Sequence, residues 1–265
     1  MALSVNTNTT ASSSALNVSK THALLQQSLT RLSTGKRINS PADDAGGLAV
    51  SMKLSAAIRR NGAVQNNINN AISFLQTQDG AMGTIGNIID RISELKMLHA
   101  DITKSTNDKG NYNTEYLQLL GQLNNLKAEQ FNSVNLFGTA LGAVQITENG
   151  GQSVTMTTCT LTSIMSQISK ASIGALGIGD ITSAFQTLAT ARAVNGAQSN
   201  RLQFALDMLG VNKVNLEAAN GRILDADVAT ESTMFAKLQI LSQANSAMLT
   251  QANTLPQAAL QLIRG

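Results

Sequence analysis

The sequence has few of the residues on which catalysis, metal binding or nucleic-acid recognition depend. Its 265 residues include one cysteine, two histidines and no tryptophan, and aromatic residues make up 3%. The lone Cys159 excludes an internal disulfide and gives no cysteine-based metal cluster. The net charge of +3 comes from scattered Lys and Arg residues with no aromatic patch among them, which argues against a nucleic-acid-binding surface.

The two histidines do not suggest a catalytic or metal site. His22 and His99 each fall on a helical stripe with no carboxylate or second ligand nearby, so we interpret them as packed or solvated side chains. The sequence has no His-Glu-x-x-His motif, and the glycine-rich segment 174–179 is not followed by the Lys-Ser/Thr of a phosphate-binding loop. We therefore predict that the protein is not an enzyme and uses no cofactor and no metal ion.

Charged residues are also scarce. They make up 13% of the chain, about half of the ~25% that is usual for soluble domains. Asn, Gln, Ser and Thr fill the polar positions instead, which suits a subunit whose faces are covered by identical neighbours. The composition therefore indicates self-assembly, with an ordinary low-charge helical protein as the alternative.

Long apolar runs are absent from the sequence, so no membrane insertion is predicted. The first twenty residues have neither the basic region nor the apolar region of a secretory signal peptide. On these grounds alone we would expect a cytoplasmic protein.

Both ends of the chain carry residues at alternating spacings of four and three, as in the seam of a coiled coil. The N-terminal stripe comprises Ala11, Ala15, Val18, His22, Leu25, Leu29 and Leu32. The C-terminal stripe comprises Met234, Leu238, Leu241, Asn245, Met248, Ala252 and Leu255. We predict that the two stripes pair, that the helix stops or bends at Pro256, and that the pair stays disordered until neighbouring chains complete its core.

The rest of the pattern is mainly helical. Helices are predicted from about Leu48 to beyond Ile102, over 116–126 and from Ile181 onward, with a turn at 105–113. Only residues 144–158 have strand character. They indicate a small β-hairpin, followed by an irregular stretch from Ser166 to Asp180. The fold class is therefore a mainly α protein, a long antiparallel helical rod with a coiled coil built from both termini and a small β-hairpin in the middle.

The connector between the first two helices has the residues of a helix start. Ser40 is a good N-cap, Pro41 suits the first helical position, and Asp43 and Asp44 place negative charge on the first turn. We therefore predict that the second helix begins here.

Several segments together resemble bacterial flagellin, the subunit of the flagellar filament. The connector with its flanks, RLSTGKRINSPADDAGGLAVS at residues 31–51, is similar to the flagellin N-terminal signature. Residues 221–265 resemble the flagellin C-terminus almost throughout, and residues 68–98 and 130–137 are also similar. The short middle region implies a minimal flagellin without large outer domains.

The resemblance implies a division of the chain into segments. Residues 1–40 and 230–265 would form the inner coiled coil, with a core comprising Leu25, Leu29, Leu32, Leu238, Leu241, Met248 and Leu255. Residues 41–138 and 181–229 would form the helical parts of the rod domain and the connectors. Residues 139–180 would supply the hairpin and the irregular segment.

The resemblance also implies a location and partners. The chain would be exported without a cleaved signal peptide and would act outside the cell in the flagellum. Its partner would be other copies of itself, together with the flagellar cap, hook-associated junction proteins, the export apparatus and a flagellin chaperone.

A surface motif is implied at Asp90–Leu95, DRISEL. In flagellins sensed by vertebrate Toll-like receptor 5, an Arg and a Leu one helical turn apart and a Glu on the antiparallel helix form the recognised surface, which also lies in subunit contacts. Arg91, Leu95 and Glu115 match these positions. The alternative is that Arg91 and Glu115 form an exposed ion pair and Leu95 lies in the core.

The function that we predict is that of a structural subunit which self-assembles into the helical flagellar filament used for motility. A hook-filament junction protein and a host-binding or adhesion module are the alternatives.

Overall fold

The computed structural model describes residues 7–138, 142–157 and 159–264, with residues 255–264 described by their backbone only. Residues 1–56 with 216–265 form unit 1, and residues 57–215 form unit 2. The helices are α1 Thr9–Thr34, α2 Ala45–Ala100, α3 Thr106–Lys127, α4 Leu161–Ile168, α5 Ile178–Leu224 and α6 Val228–Arg264. The strands are β1 Gln130–Phe131, β2 Val134–Asn135, β3 Gly142–Gln145 and β4 Ser153–Met156. The predicted mainly α fold with a small hairpin is confirmed.

In unit 1, helix α1 packs against α6. Helix α1 ends at Gly35, whose left-handed backbone (φ 68°) favours glycine. The segment that follows forms an antiparallel bridge, Lys36 to Asp225, with the segment between α5 and α6. Arg37 N donates to Leu224 O at 2.6 Å within the same bridge. The two connectors of unit 1 are thereby joined by backbone hydrogen bonds.

Helix α2 begins at Ala45, four residues after the start predicted from Ser40 and Pro41 and three residues before the start predicted from the apolar stripe at Leu48. Residues 40–43 form a turn in which Asp43 N donates to Ser40 O at 3.1 Å, and the helix starts at Ala45. Asp44 Oδ1 accepts a hydrogen bond from Gly47 N at 2.8 Å and so caps the helix in place of Ser40. The prediction was wrong because Asp43 closes a tight turn that holds Pro41 outside the helix.

Unit 2 has a continuous apolar core. Its largest fully buried side chains are Ile68, Leu75, Met82, Ile85, Ile89, Ile92, Leu95, Tyr116, Leu123, Leu136, Leu161 and Ile164. They come mainly from α2, α3 and α4, and α5 adds Leu188, Leu202 and Leu209 to the same cluster. Helix α2 ends at Ala100, before the predicted boundary, and Ile102 lies in the following turn with 94% of its surface exposed.

The β-hairpin that the sequence predicts is present, and the structure adds a second. Strands β3 and β4 pair antiparallel, with Val144 opposite Val154. Strands β1 and β2 pair across a two-residue turn in which Asn132 and Ser133 both have positive φ values of 49° and 65°. This turn was missed because it lacks the glycine that usually marks such a position.

The segment predicted as irregular is partly helical. Helix α4 ends at Ile168 and buries Leu161, Ile164 and Ile168 at spacings of three and four. Tyr116 Oη donates to Ile168 O at 2.6 Å, and Lys170 N donates to the same phenol oxygen at 3.0 Å. The prediction failed because an eight-residue helix gives too short a periodic pattern to recognise.

A buried polar pair joins α2 to α5. Asn195 Nδ2 donates to Leu75 O at 3.1 Å and to Gln78 Oε1 at 3.0 Å, and Gln78 Nε2 donates to Leu136 O at 2.6 Å. Asn195 and Gln78 are both buried. Because buried polar groups are costly when unpaired, this pair favours one alignment of the two helices.

None of the described helices has a stretch that is both long and apolar enough to cross a lipid bilayer.

Replacing Asn195 with Ala should destabilise the protein by about 1–3 kcal/mol, because Gln78 loses a buried partner. Arg192→Ala on the same helix is the matched control. It removes a half-exposed ion pair with Asp79 and should cost less than about 1 kcal/mol. Urea unfolding followed by circular dichroism would measure both. Equal losses in the two variants would contradict the role of the buried pair.

Candidate assembly surface of the terminal helices

One face of α1 is shielded by its pairing with α6. The shielded positions recur at spacings of three and four, the pattern of a coiled-coil seam. They are Ala11, Ser14, Val18, Thr21, Leu25, Ser28 and Leu32. Thr21 and Ser28 are the most deeply buried of these positions. The contact face of α1 therefore alternates aliphatic residues with small hydroxyl residues.

The facing side of α6 has the same spacing. Its shielded positions are Glu231, Phe235, Leu238, Ser242, Asn245, Leu249 and Ala252. Polar contacts across the pair show that the helices run antiparallel. Asn245 Nδ2 donates to Thr21 Oγ1 at 2.8 Å, and Arg31 lies 3.9 Å from Glu231.

Three of the seven predicted α1 seam positions are one residue out of place. On α1 the structure shields Ser14, Thr21 and Ser28, whereas the prediction placed their neighbours Ala15, His22 and Leu29 in the seam. Leu29 is 52% exposed. The error has a physical cause: small side chains let two backbones approach closely, but a search for apolar residues passes over Ser and Thr. The remaining predicted positions, including Leu25 and Leu32, lie in the contact face.

The same correction applies to α6. Leu238, Asn245 and Ala252 lie in the contact face as predicted, but Met234, Leu241 and Met248 do not. Leu241 is 40% exposed and Met248 is 63% exposed, so neither belongs to the core of the pair. The side chain of Leu255 lies outside the described residues. Whether these residues take part in self-assembly stays a prediction.

Apolar side chains remain uncovered on the other sides of both helices. At 100° per residue, Leu24, Leu29, Met234, Leu241 and Met248 flank the seam, and Leu16 and Ile240 lie on the far side. All of them are exposed large hydrophobic residues. A helix that is apolar on several sides is usually buried on several sides. The single chain therefore lacks the contacts that would cover this pair.

Asp43 ties the connector to α1. Its carboxylate accepts hydrogen bonds from the backbone N–H groups of Asn39 and Ser40 at 3.0 and 2.9 Å, and from Gln27 Nε2 of α1 at 2.6 Å. Arg31 of the same helix lies 3.9 Å away. The hydrogen bonds from Asn39, Ser40 and Gln27, in that order, lower the pKa of Asp43 to about 2.

The second predicted site is an ion pair over a core residue. Arg91 Nε donates to Glu115 Oε1 at 2.7 Å, and Arg91 NH1 donates to Glu94 Oε2 at 2.6 Å. The hydrogen bonds that Arg91 donates to Glu115 and then to Glu94 raise its pKa. Leu95 is fully buried, so the structure corrects its assignment to an exposed surface. Its spacing on α2 matches the core stripe, which turns it inward.

Other reactive side chains are isolated. The pKa of Cys159 is raised by burial, and the pKa of His99 is lowered by burial and by Lys109 and Lys96. Within the described residues, no group of three or more His, Cys, Asp and Glu side chains could hold a metal ion.

A helical chain whose two ends pair, and whose paired ends leave apolar side chains uncovered on several sides, has the features of a self-associating structural subunit. Residues 5–141 match the family model of the bacterial flagellin N-terminal helical region, and residues 178–263 match that of the C-terminal helical region. The chain belongs to the bacterial flagellin family.

Known proteins of similar length resemble this chain. A flagellin of Halalkalibacterium halodurans is 34% identical, over 90% of this chain and 92% of that protein. The flagellar filament 33 kDa core protein of Treponema phagedenis is 32% identical, over 98% of this chain and 99% of that protein. The crystal structure of Bacillus cereus flagellin covers 54% of this chain and 88% of that chain, with 25% identity and a TM-score of 0.48.

The Asp43 carboxylate should make unit 1 sensitive to acid. Because its pKa is lowered from 3.8 to about 2 in the folded chain, its contribution is present above pH ~4 and is lost as the pH falls towards ~2. Asp43→Asn should lower the melting temperature near neutral pH. It should also reduce the change in melting temperature between pH ~4 and ~2. Circular dichroism melts across this pH range would measure it. The exposed Asp90→Asn is the control, and equal acid profiles for Asp43→Asn and the wild type would contradict the prediction.

Leu95→Ala should cost about 2–5 kcal/mol of stability, because it leaves a cavity in the core of unit 2. Leu98→Ala, at a partly exposed position on the same helix, should cost clearly less. Arg91→Ala should leave the unfolding transition nearly unchanged. Urea unfolding would compare the three variants, and a Leu95→Ala loss no larger than that of Leu98→Ala would show that Leu95 is not a core residue.

Proposed function

We propose that this chain is a structural subunit which self-assembles into the helical flagellar filament used for motility. The observation that carries the proposal is the α1–α6 pair, whose contact face is narrow and partly polar and whose other faces carry exposed apolar side chains. Membership of the flagellin family supports the same conclusion.

The chemistry of the seam explains why assembly would stabilise the pair. Three of the seven α1 seam positions are Ser or Thr, so the pair alone buries little apolar area. Covering the exposed leucines and methionines with neighbouring copies would contribute about 25 cal/mol for each Å² removed from water. The folding of the terminal helices is thus coupled to polymerisation.

The domain layout is part of the proposal. Residues 1–40 and 230–265 form the inner coiled coil, and the segments 41–138, 139–180 and 181–229 form the rod domain and its connectors. The non-helical residues 35–44 and 225–227, which meet in the Lys36–Asp225 bridge, support connectors at these places.

Family membership supports a proposed location and further partners. The proposed place of action is the flagellum outside the cell, reached without a cleaved signal peptide. The proposed partners besides further copies are the flagellar cap, hook-associated junction proteins, the export apparatus and a flagellin chaperone. Arg91 and Glu115 remain the proposed subunit contact and Toll-like receptor 5 surface, without the buried side chain of Leu95.

Relatives that are named flagellar filament core proteins favour a filament subunit over a junction protein or an adhesion module.

Seeded polymerisation followed by electron microscopy tests the proposal. The full chain should form filaments, and a chain without residues 1–40 and 230–265 should not. Leu29→Gln should raise the critical concentration about tenfold or more, because an exposed leucine would no longer be buried against a neighbour. Lys20→Gln, at an exposed position of the same helix, is the matched control.

A full chain that stays monomeric with seeds and salt would overturn the filament proposal and favour a junction or binding role. Normal polymerisation of Leu29→Gln would instead show that this flank of α1 stays uncovered in the filament.

A further inference from the structure

Helix α6 has one gap in its backbone hydrogen bonds. The helix runs without interruption through Pro256, contrary to the prediction that it stops there. Proline has no N–H, so the carbonyl of Ala252, four residues earlier, lacks its partner within the helix. Ala252 is only 4% exposed, and an unpaired carbonyl at a shielded position is costly.

The side chain of Asn8 fills this gap. Its Nδ2 donates to Ala252 O at 2.8 Å, across the pair and 244 residues away in the sequence. Its Oδ1 accepts a hydrogen bond from Ala11 N at 3.0 Å, and this bond caps α1. One amide group therefore caps the start of α1 and replaces the missing N–H of α6.

The bridge between the connectors and the Arg31–Glu231 pair fix the register at the connector end, but the hydroxyl positions farther along α1 do not distinguish one register from the next. Ser14, Thr21 and Ser28 occupy equivalent positions seven residues apart, so sliding by one heptad, about 10 Å, returns a similar face. The bond from Asn245 to Thr21 would survive such a slide, because a serine hydroxyl would take the place of the threonine.

The gap at Ala252 is different because it occurs once. The chain has two prolines, and Pro256 is the only one within α6. A slide by one heptad would leave the Ala252 carbonyl without Asn8 and Asn8 without a free carbonyl. We propose that Asn8 is a positioning residue that holds the register of α1 against α6 at the end of the pair far from the connectors, by pairing with the carbonyl freed by Pro256.

The importance of this register for polymerisation rests on the proposed filament function. The exposed leucines of α1 and methionines of α6 would meet neighbouring copies in a fixed pattern only if the two helices cannot slide. The contacts that set the register lie within one chain, so a cross-link between its two helices reports the register in either the soluble or the assembled protein.

Two substitutions separate the two roles of Asn8. Asn8→Ser keeps an N-cap side chain of similar strength but is too short to reach α6. Pro256→Ala restores a backbone N–H and lets α6 satisfy Ala252 by itself. Asn8→Ser alone should raise the critical concentration for polymerisation at least about fivefold, whereas in the Pro256→Ala background it should have almost no effect.

A short thiol-reactive cross-linker measures the register directly. The experiment uses the Cys159→Ser background, so that only introduced cysteines react. Asn245→Cys combined with Thr21→Cys reports the register of the structure. Asn245→Cys combined with Ser14→Cys or Ser28→Cys reports a slide by one heptad. Asn8→Ser should reduce the 21–245 product and increase the 14–245 or 28–245 product.

An Asn8→Ser chain with the cross-links of the wild type would overturn the proposal. So would a loss of polymerisation that persists in the Pro256→Ala background, since Asn8 would then act only as a cap. If the wild type fails to polymerise but the soluble chain still gives the 21–245 cross-link, the filament function is rejected and the proposed role of Asn8 is retained. Absence of the 21–245 cross-link in both soluble and assembled wild-type protein would reject the proposed role of Asn8.

Discussion

The pairing of α1 with α6 is the contact on which the organisation of unit 1 depends. It brings together two segments from opposite ends of the sequence, and the Lys36–Asp225 bridge and the Asp43 turn hold the connectors beside it. The pair uses serine, threonine and asparagine where an isolated coiled coil would use leucine. Several of its leucines and methionines are left exposed outside the seam, which is the arrangement expected of a subunit rather than of an independent bundle.

Polar hydrogen bonds help to align the helix pairs in both units. Asn195 and Gln78 join helices inside unit 2, and Asn8 and Asn245 join helices in unit 1. Such bonds add modest stability when made and cost more when broken, so they select one arrangement among several of similar packing. A chain with few charged side chains can define its helix pairs in this way.

The sequence was sufficient for the fold class, the long helices, the β3–β4 hairpin and the pairing of the termini. It failed where the decisive residue was small or the signal short. The prediction missed the seam positions Ser14, Thr21 and Ser28 because a search for periodic apolar residues does not count hydroxyl residues. Asp43 closes a turn that delays the start of α2. The bond from Asn8 to Ala252 joins residues whose contact exists only after the helices pair.

The connectivity of the two units has a consequence for the order of folding. Unit 2 consists of one continuous segment, residues 57–215, whereas unit 1 needs both the first 56 residues and the last 50. A chain that is delivered from one end to the other has all of unit 2 before it has the whole of unit 1. The N-terminal helix must therefore wait without its partner until the last part of the chain arrives, and the terminal pair closes last.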